Sequence, residues 1–220
     1  MIRAGDMGDL GYKRWGRSAV SAGALILACL FLTGAVSPAP VERGPRDSHW
    51  VEQVSRYSFS AASLSQAHMA MYSASPVMID GRVRSGSAEF SWTWHFWPDH
   101  RDQGCSAARV TLEGRSRVTL PDWTNVEMAP SYARAEWSRH LQALRAHEQE
   151  HVDIAKRAAR EMIDTIEALP PEPTCAAFER RAKQVADAFH QRAHRENAAY
   201  DDRTRHGLAE GAGLNLDVAP

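Results

Sequence analysis

Two histidines and two glutamates within five residues, His147-Glu148-Gln149-Glu150-His151, carry the strongest chemical signal in this chain. Residues four apart on a helix stack on one face, so His147 and His151 can turn two imidazole nitrogens toward one metal ion. A carboxylate beside such a ligand can reach the water that the ion activates and take its proton. The run reads both as H-E-x-x-H and as the inverted H-x-x-E-H. At about 100° of turn per residue, Glu148 and Glu150 lie about 80° to either side of the histidine pair, so helix geometry leaves both open as the base. The surroundings turn the run inward. Leu144, His147, His151, Ile154, Ala158 and Met162 recur at three-and-four spacing, the stripe by which an amphipathic helix meets a core. The alternative is a solvated, charged face that happens to hold two histidines. Histidines facing a core need a partner for each ring nitrogen, and a metal together with an outer acceptor supplies both.

A catalytic zinc takes three protein ligands and keeps one position open. The segment Tyr200-Asp201-Asp202-Arg203-Thr204-Arg205-His206-Gly207 gathers the candidates. His206 is the expected third metal ligand. Asp201 is expected as an outer acceptor or alternative ligand. Tyr200 is expected to donate a hydrogen bond to the oxyanion of an attacked carbonyl. His190 and His194 form a second i, i+4 pair, but no glutamate is placed between them in the same way. They read as an exposed polar face with Gln191, Arg192 and Arg195. His140, two turns before His147, reads as a core or rim histidine.

These residues must be positioned by a modest scaffold. The chain has 220 residues, 44% hydrophobic and 24% charged, which suits one domain with tails. A net charge of −1 gives no general attraction to nucleic acid or to an anionic membrane. Residues 1–35 read as a signal peptide: Lys13, Arg14 and Arg17 precede an apolar run at 19–32, and Thr33-Gly34-Ala35 offers small residues for cleavage. The run is short of the about 20 residues a spanning helix needs, so cleavage is expected, with anchoring by residues 19–35 as the alternative. The protein is therefore expected to be exported, periplasmic or secreted. Residues 36–50 read as a linker, 51–210 as the folded domain and 211–220 as a flexible tail. Export leaves Cys105 and Cys175 in an oxidising compartment, where an even pair reads as one disulfide. It closes a loop of about 70 residues, worth roughly 4 kcal/mol in the chain-entropy treatment and less if strained.

Periodicity gives the fold class as α+β: a small antiparallel sheet followed by two long antiparallel helices. Residues 56–60 alternate as a short strand, and 61–72 have helical spacing. Residues 89–97 put Phe90, Trp92, Trp94 and Phe96 on one face at period two, with Pro98 ending the strand. Residues 108–120 alternate around Gly114, as one bulged strand or two strands joined by a turn, with Pro121 ending them. From Pro130 the period becomes helical, with Ser131 as N-cap, until Leu169-Pro170-Pro171. A second helix opens at Cys175 and fades near Ala199. The short connection makes the two helices antiparallel neighbours.

In these features and their order the chain resembles a bacterial family of unknown function described as predicted secreted zinc-dependent proteases. The resemblance is carried by Trp92-Thr93-Trp94, Cys105, Leu120-Pro121, Trp137, the run from Leu144 to Ala155, Cys175, Tyr200-Asp201, Thr204 and His206-Gly207. It extends from about Arg56 to Gly207. It implies a zincin-like active-site helix with Glu148 as general base, because the family usually carries a small residue where this chain has Glu150. It further implies Zn2+ as cofactor and a protein or peptide as substrate, cleaved by a metalloendopeptidase of the cell envelope. Two alternatives stay open. One is a non-catalytic envelope protein whose zinc is structural or which binds a partner. The other is hydrolysis of a non-peptide amide in the cell wall.

Overall fold

The computed structural model describes residues 48–100 and 104–218. The expected signal peptide and all but the last residues of the expected linker lie outside them. The first strand, β1 (Ser48–Phe59), begins inside that linker. It is followed by α1 (Leu64–Ala74), a two-residue-turn hairpin of β2 (Met78–Ile79) and β3 (Arg82–Val83), and the long strands β4 (Ser87–Asp99) and β5 (Ser106–Trp123). Two helices complete the chain, α2 (Ser131–Glu167) and α3 (Cys175–Thr204). The architecture is α+β, with α2 and α3 antiparallel.

The sheet has the order β1-β5-β4, with β5 in the centre. Pairing of β4 with β5 is antiparallel, as expected of neighbours in sequence. Pairing of β1 with β5 is parallel, so the sheet is mixed rather than antiparallel throughout. No tight turn links β1 to β5; α1, the hairpin and β4 lie between them, and that length of chain permits a parallel crossover. Alternation along β5 buries Val110, Leu112, Gly114, Ser116, Val118 and Leu120 on one face. Gly114 sits within one unbroken strand because a ring crosses it. A Cβ there would lie 1.9 Å from Trp50 Cε3, and the Trp50 indole donates to Ser116 Oγ at 3.1 Å. Neither proline ends its strand. Pro98 falls at a register shift on the edge strand β4, where a missing N–H is tolerated. Pro121 lies near the end of β5, opposite Tyr57.

The aromatic face of β4 packs inward. Phe96 meets Phe178 of α3 at 5.2 Å between ring centroids. Met162, Ile166 and Phe178 are wholly buried beside it, each worth about 1.5–3 kcal/mol in apolar burial. A second core joins α1 to the start of α2, with Met71, Trp123 and Trp137. Across the sheet edge, Glu52 of β1 pairs with Lys156 of α2.

The helix boundaries differ from the sequence reading in two places. Pro130 rather than Ser131 takes the cap position of α2, and no side chain caps it. At the start of α3 the Thr174 hydroxyl accepts from Ala177 N at 3.2 Å. That helix continues past Ala199 to Thr204, because Asn197, Tyr200 and Thr204 extend its buried stripe with polar residues that hydropathy does not count. The expected disulfide joins Cys105 to Cys175 and ties the start of α3 to the β4–β5 connection. Residues 211–218, expected as a flexible tail, dock onto α2. Ala212 is buried, and Leu214 and Val218 pack at the edge of the second core.

Candidate metal centre

His147 and His151 sit one turn apart on α2, 3% and 8% exposed. Their Nε2 atoms face each other at 3.3 Å. Asp201 comes from α3, where the added turn brings its Oδ1 to 3.2 Å from the Nε2 of each histidine. Ligand atoms around a tetrahedral zinc with bonds of about 2.0–2.1 Å are separated by about 3.3–3.4 Å. The three observed edges match that figure.

The hydrogen bonds behind the rings fix what the Nε2 atoms offer. His151 Nδ1 lies 2.6 Å from Asn197 Oδ1, and Asn197 Nδ2 donates to Ala193 O at 2.8 Å. That bond leaves the Asn197 oxygen facing the ring, so His151 Nδ1–H is the donor. His147 Nδ1 lies 3.1 Å from Glu210 Oε2, a carboxylate that only accepts. In the tautomer with its proton on Nδ1, each ring turns a bare Nε2 lone pair toward the Asp201 carboxylate. Three electron-rich atoms within 3.3 Å repel one another unless a cation, or protons, lie among them. The donor set fits a divalent metal, with two imidazoles, one carboxylate and an acceptor behind each ring.

The electrostatics of the metal-free centre express the same demand. Burial pushes the His147 and His151 pKa down, but hydrogen bonding to Asp201 and the charge of Glu148 outweigh it, so both are raised. Burial pushes Asp201 up, yet its bonds to the two histidines hold it well below the usual carboxylate range.

The two glutamates of the motif diverge. Glu150 points outward and pairs with Arg157 Nη2 at 2.8 Å. Glu148 is 5% exposed, and burial raises its pKa to about 7 against the pull of His151 and His147. Its carboxylate lies against the backbone leading into β4. A Cβ on Gly86 would lie 2.8 Å from Glu148 Oε1 and 3.1 Å from Leu144 Cδ1, so only glycine fits there without displacement.

His206 lies beside the trio. Among the described residues the group whose ligand atoms lie within 4.8 Å of one another around this centre is His147, His151 and Asp201. His206 Nδ1 is 3.3 Å from Asp201 Oδ1. Arg84 Nη2, just beyond the β2–β3 hairpin, donates to His206 Nε2 at 3.0 Å, so the ring proton sits on Nδ1. Arg205 and His206 both take left-handed backbone conformations, a strain of roughly 1–3 kcal/mol each that sites of this kind hold in place. Tyr200 stacks on His147 at 4.8 Å. Its hydroxyl donates to Glu210 Oε2 at 2.7 Å, so it is engaged behind His147 instead of being free for a substrate oxygen.

The structure thus brings His147, Glu148, His151, Tyr200, Asp201 and His206 together. It adds four residues the sequence reading missed: Asn197, Glu210, Arg84 and Gly86. Asn197 could have been found by extending the inward stripe of α3 four residues back from Asp201. The others arrive from distant segments and leave no local signal. The remaining histidines lie apart from the centre. His140 is buried in the core at 1% exposure. His190 and His194, expected on an exposed polar face, are half-buried against Trp92 and Phe90. His100 lies 3.5 Å from Cys175 Sγ at the disulfide.

Neither a curated protein nor a solved structure matches this chain. One family model does, over residues 54–207, and this span takes in β4, β5, part of β1, both long helices and every residue of the centre except Glu210. The chain belongs to that family, the bacterial proteins of unknown function DUF922.

Proposed function

We propose that this protein is a zinc-dependent hydrolase of the bacterial cell envelope that cleaves peptide bonds. The observation that carries the reading is the convergence of three ligand atoms, from His147, His151 and Asp201, at tetrahedral spacing beside a buried glutamate. His147, His151 and Asp201 would hold the ion. When bound, zinc supplies Lewis-acid activation of water and of the carbonyl under attack. Glu148 takes the proton of the attacking water and returns it to the leaving amine. Asn197 and Glu210 hold the imidazoles in the ligating tautomer. His206, with Nδ1 toward Asp201 and Arg84 behind its Nε2, holds the Asp201 carboxylate at the edge of the centre. Tyr200 buttresses His147 and Glu210. The disulfide is compatible with export, and no helix among the described residues is long and apolar enough to cross a membrane.

Metal analysis of the purified protein, paired with cleavage of an unstructured protein substrate, tests the reading. Bound zinc, chelator-sensitive cleavage, and a Glu148→Ala variant that keeps its metal while losing about 100-fold or more in rate are expected. A protein without affinity for zinc, or a Glu148→Ala variant as fast as wild type, would overturn it.

A second reading has its own observation. His206 Nδ1 also lies 3.3 Å from Asp201 Oδ1. A ring rotation that freed a lone pair would make a closed four-ligand site, and closed zinc sites are structural. The envelope protein would then be non-catalytic. His206→Ala separates the two: retained zinc with slowed cleavage belongs to the hydrolase, whereas lost zinc belongs to the staple.

A further inference from the structure

We infer that Arg139 and Glu136, about two to three turns upstream of His147 on α2, set the metal affinity of the centre by positioning Glu210. This rests on the metal reading above and extends it to a region outside the ligand set. After α3 the chain folds back in a tight turn, with Glu210 N and Ala212 N both donating to Gly207 O at 2.9 Å. The residues that follow Glu210 are then gripped by one guanidinium. Arg139 Nη1 donates to Gly211 O at 2.5 Å and Nη2 to Gly213 O at 2.7 Å. The same guanidinium is held by Glu136, through Nε at 2.8 Å and Nη2 at 2.6 Å. Glu136 is itself buried, and its Oε1 also accepts from Asn215 N at 2.6 Å.

Glu210 needs this support. Its side chain is 41% exposed, so packing does not hold it. Its Oε2 nevertheless carries both the His147 Nδ1–H and the Tyr200 hydroxyl. The placement of its backbone sets whether the carboxylate can reach these two partners, and that placement is fixed on one side by α3 and on the other by the Arg139 fork. A lysine could not reproduce two carbonyl contacts and a bidentate carboxylate pairing at once. Arg139 and Glu136 are therefore positioning residues: they act on His147 through Glu210 and touch no ligand atom.

The test is a double-mutant cycle read as zinc affinity, by competition with a chromophoric chelator. Loss of an outer partner of a ligating histidine weakens metal binding about 10–100-fold, so Arg139→Met is expected to weaken it roughly tenfold. Glu210→Ala should do the same, and Arg139→Met added to Glu210→Ala should produce no further loss. Arg139→Lys keeps the charge and the fold, confirmed by circular dichroism, and is expected to lose affinity as Arg139→Met does. NMR of the His147 ring gives a second readout: its Nδ1 proton should exchange faster in Arg139→Met. Wild-type zinc affinity in a folded Arg139→Met or Arg139→Lys variant would overturn the proposal, as would an undiminished Arg139 effect in the Glu210→Ala background. A wild-type protein that binds no zinc would overturn the metal reading itself, and the proposal with it.

Discussion

Glu148 and Glu150 are indistinguishable by helix angle, and burial separates them. One is buried against Gly86; the other is held at the surface by Arg157. Burial of Glu148 has a consequence for the metal-free protein. Its folded pKa of about 7 stands above the unfolded value of 4.5, so between these two pH values the native state binds more protons than the unfolded one. Stability contributed by this group is present at acid pH and falls as pH rises from about 4.5 through 7, by about 3 kcal/mol in all. His147 and His151 act in the same direction: their raised pKa stabilises below about 6.5 and is lost as pH rises through the folded values. Chelated protein should therefore melt at lower temperature at pH 8 than at pH 5.5, and Glu148→Gln should flatten that slope. A metal-free melting temperature that rises over this range contradicts the protonation scheme. At the same scale, Asn197→Ala leaves His151 without the acceptor that fixes its tautomer. It should weaken zinc binding about 10–100-fold with little change in secondary structure, which isothermal titration will measure.

Two elements do more for the centre than their sequence suggests. The last two turns of α3 are largely polar, yet they deliver Asn197, Tyr200 and Asp201 to α2, since helical spacing continues through residues that hydropathy scores as loop. Strand β5 is long and central, and its Gly114 admits the Trp50 ring from the parallel neighbour β1. Gly114→Ala places a methyl inside that ring and should destabilise by about 1–3 kcal/mol, the usual cost of overpacking. Urea unfolding measures it. Trp50→Ala in the same chain should absorb most of the added penalty, and strictly additive losses would show that the clash is not the cause. The disulfide ties β4–β5 to α3 across 70 residues of sequence. Replacing both cysteines by serine should cost about 2–5 kcal/mol, seen as a lower urea midpoint in the metal-free protein.

On the scale of the whole molecule, the centre is where the two long helices and the C-terminal segment meet, so a metal bound there would couple to folding. Zinc at 100 times its dissociation constant should add about 2.7 kcal/mol to stability, and calorimetry with and without chelator checks the shift. The α+β class, the two long helices, the cysteine pair, the paired histidines and the gathering of candidates at 200–207 were all legible in the residues, because each depends on spacing within one element or on composition. Periods of two and 3.6 survive in a single sequence, and so does a ligand pair one helical turn apart. The parallel partner of β1, the reach of α3 beyond Ala199, the choice of Asp201 over His206 at the closest position, and the roles of Glu210, Arg84 and Gly86 were decided in three dimensions. Apart from the extension of α3, whose polar stripe hydropathy does not count, each of these joins segments far apart in the chain, through backbone pairing or a lone polar side chain. A backbone carbonyl has the same chemistry in every residue, so its partner can be known only once the chain has folded against it.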